Sequence, residues 1–240
     1  MSPLSGVMSE AWQLYRRFAA HFLLIAFVIS LVAAVIEGLL AGVAGPVGLS
    51  FSLLIRYIAL CLIQAALVKA VQDVQDGRVD LDFGQTLSAA VPFILPVAVA
   101  SFLAAIGITI GLALIIVPGL VLLTFWSLIV PSIVVGGAGP LHAFSRSWRT
   151  VRGHAWHVFG TLVLVYLIYV AVSIVIGLIL LVLPLWLRDS LGSLVAGTLL
   201  LPFVALVLTL IYFRLSRAHG EAAEAAAPGG GADPGFAQPA

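Results

Sequence analysis

Charge is what this 240-residue sequence has least of: Asp, Glu, Lys and Arg make up 9% of it, while 62% is apolar. That scarcity excludes the surface of a soluble globular domain, about a quarter of whose residues are charged. With a mean hydropathy of +1.22, the chain belongs in a bilayer. The formal net charge of +1 gives no electrostatic case for a nucleic acid partner. A single cysteine, Cys61, excludes an intramolecular disulfide and, inside an apolar run, leaves the redox compartment unread.

Catalytic signatures are missing too. No GxSxG, HExxH or phosphate-loop pattern occurs, and Glu37 is the only carboxylate inside a predicted span, so the paired titratable groups that acid-base chemistry needs are not at hand. The acidic loop DVQDGRVDLD, with Asp73, Asp76, Asp80 and Asp82, lacks the spacing and terminal Glu of a calcium loop and reads as a solvated turn. His154 and His157, with His142 or His21, have no nearby Cys or Glu and read as headgroup neighbours, so no metal is expected. The expectation is a protein that is not an enzyme and carries no cofactor.

What is present is a series of long apolar runs. A spanning helix needs about 20 mostly apolar residues, which places six spans near 20–43, 48–71, 91–113, 116–136, 157–183 and 190–213. Residues 91–136 hold no charge and are too long for one crossing, so a reversal is placed at the VPG around Pro118. Runs apolar on every side exclude barrel strands. The first run exceeds a signal-peptide core and is interrupted by Glu37, so it reads as a retained span. The fold class is therefore all-α: a polytopic six-helix membrane protein, with a transmembrane domain over 20–215 and a disordered tail over 216–240, rich in Ala, Gly and Pro.

The few basic residues are placed asymmetrically. Arg16 and Arg17 precede span one, Lys69 and Arg78 follow span two, Arg146, Arg149 and Arg152 separate spans four and five, and Arg214 and Arg217 follow span six. All lie on one side of a six-span topology, which puts both termini in the cytoplasm of a cell membrane. Arg188 lies in a hairpin on the opposite side, and Arg56 lies within span two. Glu37 and Arg56 flank the hairpin turn near Gly45 at depths matching within about 5 Å and are expected to pair.

Two segments carry an amphipathic period. In GPLHAFSRSWRTVRGHAWH, Leu141, Phe144, Trp148 and Val151 recur at helical spacing opposite His142, Arg146, Arg149 and Arg152. This predicts an interfacial helix over 139–153, with its apolar face in the acyl boundary and its cations among anionic headgroups; a charged loop that only obeys the topology rule is the alternative. The N-terminal segment 1–19 reads the same way, with a stripe of Leu4, Val7, Met8, Ala11, Trp12, Tyr15 and Phe18, continued by Phe22, opposite Gln13, Arg16 and Arg17. SEAWQLYRRFAAH and SRSWRTVRGHAWH share Ser9 with Ser145, Trp12 with Trp148, Arg16 with Arg152, Ala19 with Ala155 and His21 with His157. A weaker copy, DFGQTLSAAVPF, starts at Asp82. The reading is three tandem units of interfacial helix plus helical hairpin, with chance convergence as the alternative.

The stretch from Pro118 to Gly160 contains PG at the start of span four, GPLHAFSRSW with Ala143, Ser147 and Trp148, then Arg152-Gly153 and Trp156. It resembles the membrane domain of some bacterial glycerophosphodiester phosphodiesterases and of related stand-alone six-helix inner-membrane proteins. Family members often carry an acidic residue before the loop glycine, where this chain has Val134, Val135 and Gly136. In the phosphodiesterases a separate soluble barrel holds the catalytic carboxylates and histidines. The resemblance therefore carries no catalytic residue onto this sequence.

Two functions are expected from these features. One is a non-enzymatic membrane module that engages anionic lipid through Arg146, Arg149, Arg152, Trp148, Arg16 and Arg17, organising the bilayer or scaffolding a partner protein. The other is a small transporter or channel for a lipid-like or apolar solute, for which Pro96, Pro118, Pro131 and Pro202 could break spans.

Overall fold

The computed structural model describes residues 6–43, 45–76, 80–182 and 184–225. Leu4, Arg78 and residues 226–240 of the tail lie outside them, as does the side chain of Arg188. The described residues are helical with no strand: α1 (Val7–Arg17), α2 (Ala19–Val43), α3 (Gly45–Asp73), α4 (Phe83–Ala90), α5 (Ile94–Leu114), α6 (Ile116–Trp126), α7 (Ile129–Val134), α8 (Pro140–Val151), α9 (Ala155–Ile179) and α10 (Leu185–Ala225). Among the described residues six stretches are long and apolar enough to cross a bilayer: Ala19–Leu40, Ser50–Asp73, Phe83–Leu114, Ile116–Val134, Ala155–Val182 and Gly197–Gly220. The chain is an all-α polytopic membrane protein.

Three boundaries differ from the sequence reading. The third span starts earlier, because α4 and a 3-10 turn at Val91–Phe93 run straight into α5. The reversal expected at Pro118 falls on Ile115, a single extended residue (φ −156°, ψ 139°) between α5 and α6. The segment from 216, expected to be disordered, continues α10 to Ala225, since LSRAHGEAAEA is built largely of strong helix formers.

Element order repeats three times: a short helix followed by a hairpin of long ones, as α1-α2-α3, α4-α5-α6/α7 and α8-α9-α10. Packing repeats cyclically. The short helix and first span of each unit lie on the second span of the unit before: α4 and α5 on α3, α8 and α9 on α6 (α8 also on α7), and α1 and α2 on α10, which closes the ring. The second spans meet centrally through contacts among α3, α7 and α10. Burial follows, since 56% of the α10 window is inside the bundle and only 6% of α9; the outer helices leave their apolar sides for lipid. Each short helix buries a pair of residues four apart, Val7 and Ala11, Thr86 and Ala90, Ala143 and Ser147, which lets it approach the span beneath it.

The expected Glu37 and Arg56 pair does not form among the described residues. Glu37 is half-buried, in register with the packed Ile29 and Ala33 of α2, while Arg56 is exposed on α3. Matching depth was a consequence of spacing alone; the direction each side chain takes around its helix is set by packing. Glu37→Gln and Arg56→Gln should therefore act additively on stability, within about 0.5 kcal/mol. A double-mutant cycle by thermal unfolding in detergent checks this, and a coupling above that value would mean that the two meet.

Candidate lipid-interface site

The basic amphipathic helix α8 begins with Pro140 at its first position, where a missing N–H costs nothing. It ends at Gly153, whose φ of +94° suits a residue without a Cβ. Its buried face is Ala143, Ser147, Thr150 and Val151. The aromatic residues beside that face are held by the preceding span. Trp148 stacks on Phe125 with centroids 4.0 Å apart, and Phe144 meets Trp126 edge-on at 4.9 Å. Of the stripe expected to face acyl chains, Val151 is buried in the protein and Leu141 is 69% exposed. The correction has a simple cause: protein and lipid are equally apolar, so periodicity identifies the dry face without saying what dries it.

Ser147 performs a second task. The fourth span is broken at Ser127 and Leu128, because the ring of Pro131 cannot coexist with a helical carbonyl at Ser127. The break frees the Phe125 carbonyl and the Leu128 N–H, about 10 Å along the span from its α8-side end. The Ser147 hydroxyl donates to Phe125 O at 2.6 Å and accepts from Leu128 N at 3.2 Å. One fully buried hydroxyl of α8 thus satisfies both groups where no water is available to do so.

The three α8 arginines separate by role. Arg146 donates from Nη1 to the Gly136 carbonyl at 2.6 Å, at the partly negative C-terminal end of α7. A Cβ on Gly136 would lie 2.5 Å from the Ser132 backbone oxygen, as well as 2.6 Å from the Tyr212 hydroxyl and 2.7 Å from the Arg146 guanidinium carbon, so any larger residue here would have to displace the backbone of α7. Arg149 and Arg152 are exposed; Arg149 reaches no further than Ser145 O of its own helix, at 3.4 Å. Beside them Trp156 is 84% exposed, edge-on to Phe159, as suits an indole at a membrane surface.

The α1 helix reproduces this arrangement. Trp12 and Tyr15 lie edge-on to Phe203, and the Tyr15 hydroxyl donates to Leu199 O at 2.9 Å; burial raises the pKa of that phenol, which keeps it a donor. Glu10 forms an ion pair with Arg214. Leu199 and Arg214 are about 22 Å apart along α10, so α1 lies across that span with its aromatic edge toward the middle and its charged edge toward the end. Glu10 and Arg146 occupy the same offset in the two related sequences, one residue after Ser9 and Ser145. Trp12 and Glu10 hold Phe203 and Arg214; Trp148 and Arg146 hold Phe125 and Gly136. Phe203 and Arg214 have the same separation along the sequence as Phe125 and Gly136. This shared register supports an internal repeat over convergence. Arg16 and Arg17 are exposed, and Arg17 lies 5.2 Å over the Phe18 ring.

The sequence reading missed Ser147 as a helix repair, Gly136 and the Glu10–Arg214 pair. The aligned offsets held a signal for the last of these, a charge at the same place in both copies. Ser147 stands in the segment that carries the family resemblance, but nothing local gave it this role, since its partners lie 19 and 22 residues away. The histidines do not gather: His154 and His219 stand 6.3 Å apart, and no group of three metal-ligating side chains occurs among the described residues.

Residues 50–216 match a family described as a domain of unknown function (DUF7847), which covers spans two to six, and the chain belongs to that family. No curated protein and no solved structure matches it.

Proposed function

We propose that this member of the DUF7847 family is a non-enzymatic membrane module. It engages anionic lipid along the basic edges of α8 and α1 and organises the bilayer or scaffolds a partner protein. The observation that carries this reading is the docking geometry: both short helices are held on edge by a Trp-Phe contact and a polar tie, leaving Arg149, Arg152, Arg16 and Arg17 exposed at the span ends. Each such cation near an anionic leaflet contributes about 1 kcal/mol, screened beyond roughly 8 Å at physiological salt. The resemblance to the phosphodiesterase membrane domain belongs to this proposal, as does placement in a bacterial inner membrane.

Arg149→Gln with Arg152→Gln should reduce co-purified phosphatidylglycerol and cardiolipin, while the corresponding Lys variant keeps them; Arg16→Gln with Arg17→Gln should shift them in the same direction, by less. Unchanged lipid in the α8 double Gln variant, measured by mass spectrometry of the extracted protein, would falsify the reading. Trp148→Ala should act through the loss of its stack on Phe125, lowering stability with the charge intact.

The basic asymmetry further places both termini in the cytoplasm. In a Cys61→Ser background, cysteines at Gly48 and Ser190 should then react with an impermeant thiol reagent added to intact cells, and one at Thr150 should not. The opposite labelling pattern refutes the orientation.

The alternative, a small transporter or channel for a lipid-like or apolar solute, draws on one observation. The fourth span is discontinuous, and beside the break the Ser132 hydroxyl is buried without a partner. Solute flux into reconstituted vesicles that is lost in Ser132→Ala, with stability kept, would favour it.

A further inference from the structure

A guanidinium and a phenol hydroxyl converge where the end of α7 meets α8 and α10. The Tyr212 hydroxyl and the Arg146 guanidinium carbon stand 2.6 and 2.7 Å from the point that a Gly136 Cβ would occupy, so no more than the sum of those distances separates them. Tyr212 belongs to α10, the most buried of the spans, and is itself only 2% exposed. Its hydroxyl bonds to no group among the described residues and is not sealed in, so the little of Tyr212 that stays open includes its polar tip.

Arg146 is half-buried, and its Nη1 donates to the Gly136 carbonyl. That bond occupies one of five N–H donors. It also leaves the positive charge unbalanced, since a carbonyl is neutral and no carboxylate pairs with Arg146 among the described residues; the nearby Glu10 is taken by Arg214. A cation drawn partly out of water without a counter-charge is costly. An oxyanion supplies what both groups lack, a negative charge for the guanidinium and an acceptor for the hydroxyl. Phosphate suits the place better than a carboxylate, because its oxygens diverge tetrahedrally and take single donors from two helices at once, whereas a planar carboxylate matches the fork of one guanidinium.

We propose that Arg146 and Tyr212 form a binding site for one phosphate group, inorganic or carried by a lipid headgroup. The site lies behind the exposed edge of α8 and does not rest on the lipid reading of Arg149 and Arg152. Its two donors come from separate helices, so it exists only while α8 is docked.

The test uses the full chain in a phosphate-free maltoside detergent, titrated calorimetrically with inorganic phosphate and, separately, with short-chain phosphatidylglycerol; acetate is the control anion. Wild type should bind at least one phosphate probe saturably at one per chain. Saturation by inorganic phosphate identifies the free anion as sufficient, and saturation by the lipid alone identifies the headgroup with its chains. Arg146→Gln should abolish binding, although it also removes the tie to Gly136. Tyr212→Phe is the sharper variant: it deletes a hydroxyl without a partner in the chain, so the melting temperature should hold while affinity falls about tenfold. Arg149→Gln with Arg152→Gln should leave this affinity within about twofold while lowering co-purified lipid, so the site and the broader lipid reading fail separately. Absence of saturable binding for both phosphate probes, binding of acetate as tight as that of phosphate, or unchanged affinity in folded Tyr212→Phe overturns the proposal.

Discussion

Replacing Ser147 with alanine should cost about 2–5 kcal/mol, because one hydroxyl serves two backbone groups and each buried group left unpaired costs about 1–3 kcal/mol. Phe125 O and Leu128 N have no helical partners at the break, and Ser147 is wholly buried, so water cannot replace it. The same deletion at Ser145, whose hydroxyl bonds His142 O on an exposed surface, should stay within about 0.5 kcal/mol. Reversible unfolding in mixed micelles measures both. Equal losses at the two positions would mean that the break is satisfied in some other way. The expected asymmetry also has a functional side: the Ser147 hydroxyl joins α8 to the fourth span together with the Trp148, Phe144 and Arg146 contacts, and its loss loosens the helix that presents the basic edge.

Gly119→Val should be the other costly change, by about 1–3 kcal/mol or more from overpacking. A Cβ at Gly119 would stand 2.6 Å from the backbone nitrogen of Leu112, and one at Gly111 would stand 3.0 Å from Gly119 Cα. Backbone cannot step aside as a side chain can, so the α5-α6 hairpin must open. That opening also shifts Trp126, which fills the space over Gly107 and carries Phe144 of α8. Gly160, with nothing near its missing Cβ, is the control: Gly160→Ala should be neutral or slightly stabilising, since helix interiors favour alanine. A loss at Gly160 matching that at Gly119 would show general intolerance in place of a close hairpin.

These two sites differ in how far the sequence announced them. Gly107 and Gly111 stand four apart in a charge-free run, a spacing that suggests helix contact in membranes, and the structure puts Gly111 against Gly119. Ser147 stood in the sequence as part of the segment that carries the family resemblance, with no sign of a structural role. Its importance comes from a break in another span, itself dictated by Pro131, and the link between them exists only once α8 lies on α6.

By itself the sequence determined the membrane class, the six crossings and the three short helices, because hydrocarbon thickness and helical period act on residues close together in the chain. The internal repeat was legible for the same reason, as matching offsets of Ser9, Trp12 and Arg16 with Ser145, Trp148 and Arg152. Tertiary structure alone decided what each apolar stripe touches: α10 under α1, and α6 and α7 under α8. It also separated Arg146, tied to Gly136, from the exposed Arg149 and Arg152, and left the exposed Arg56 without an ion pair to the half-buried Glu37. Side chains at equal depth or on one stripe are alike to hydropathy. Which of them meets protein and which meets lipid is settled by the rotation and contact of whole helices, and no local pattern encodes that.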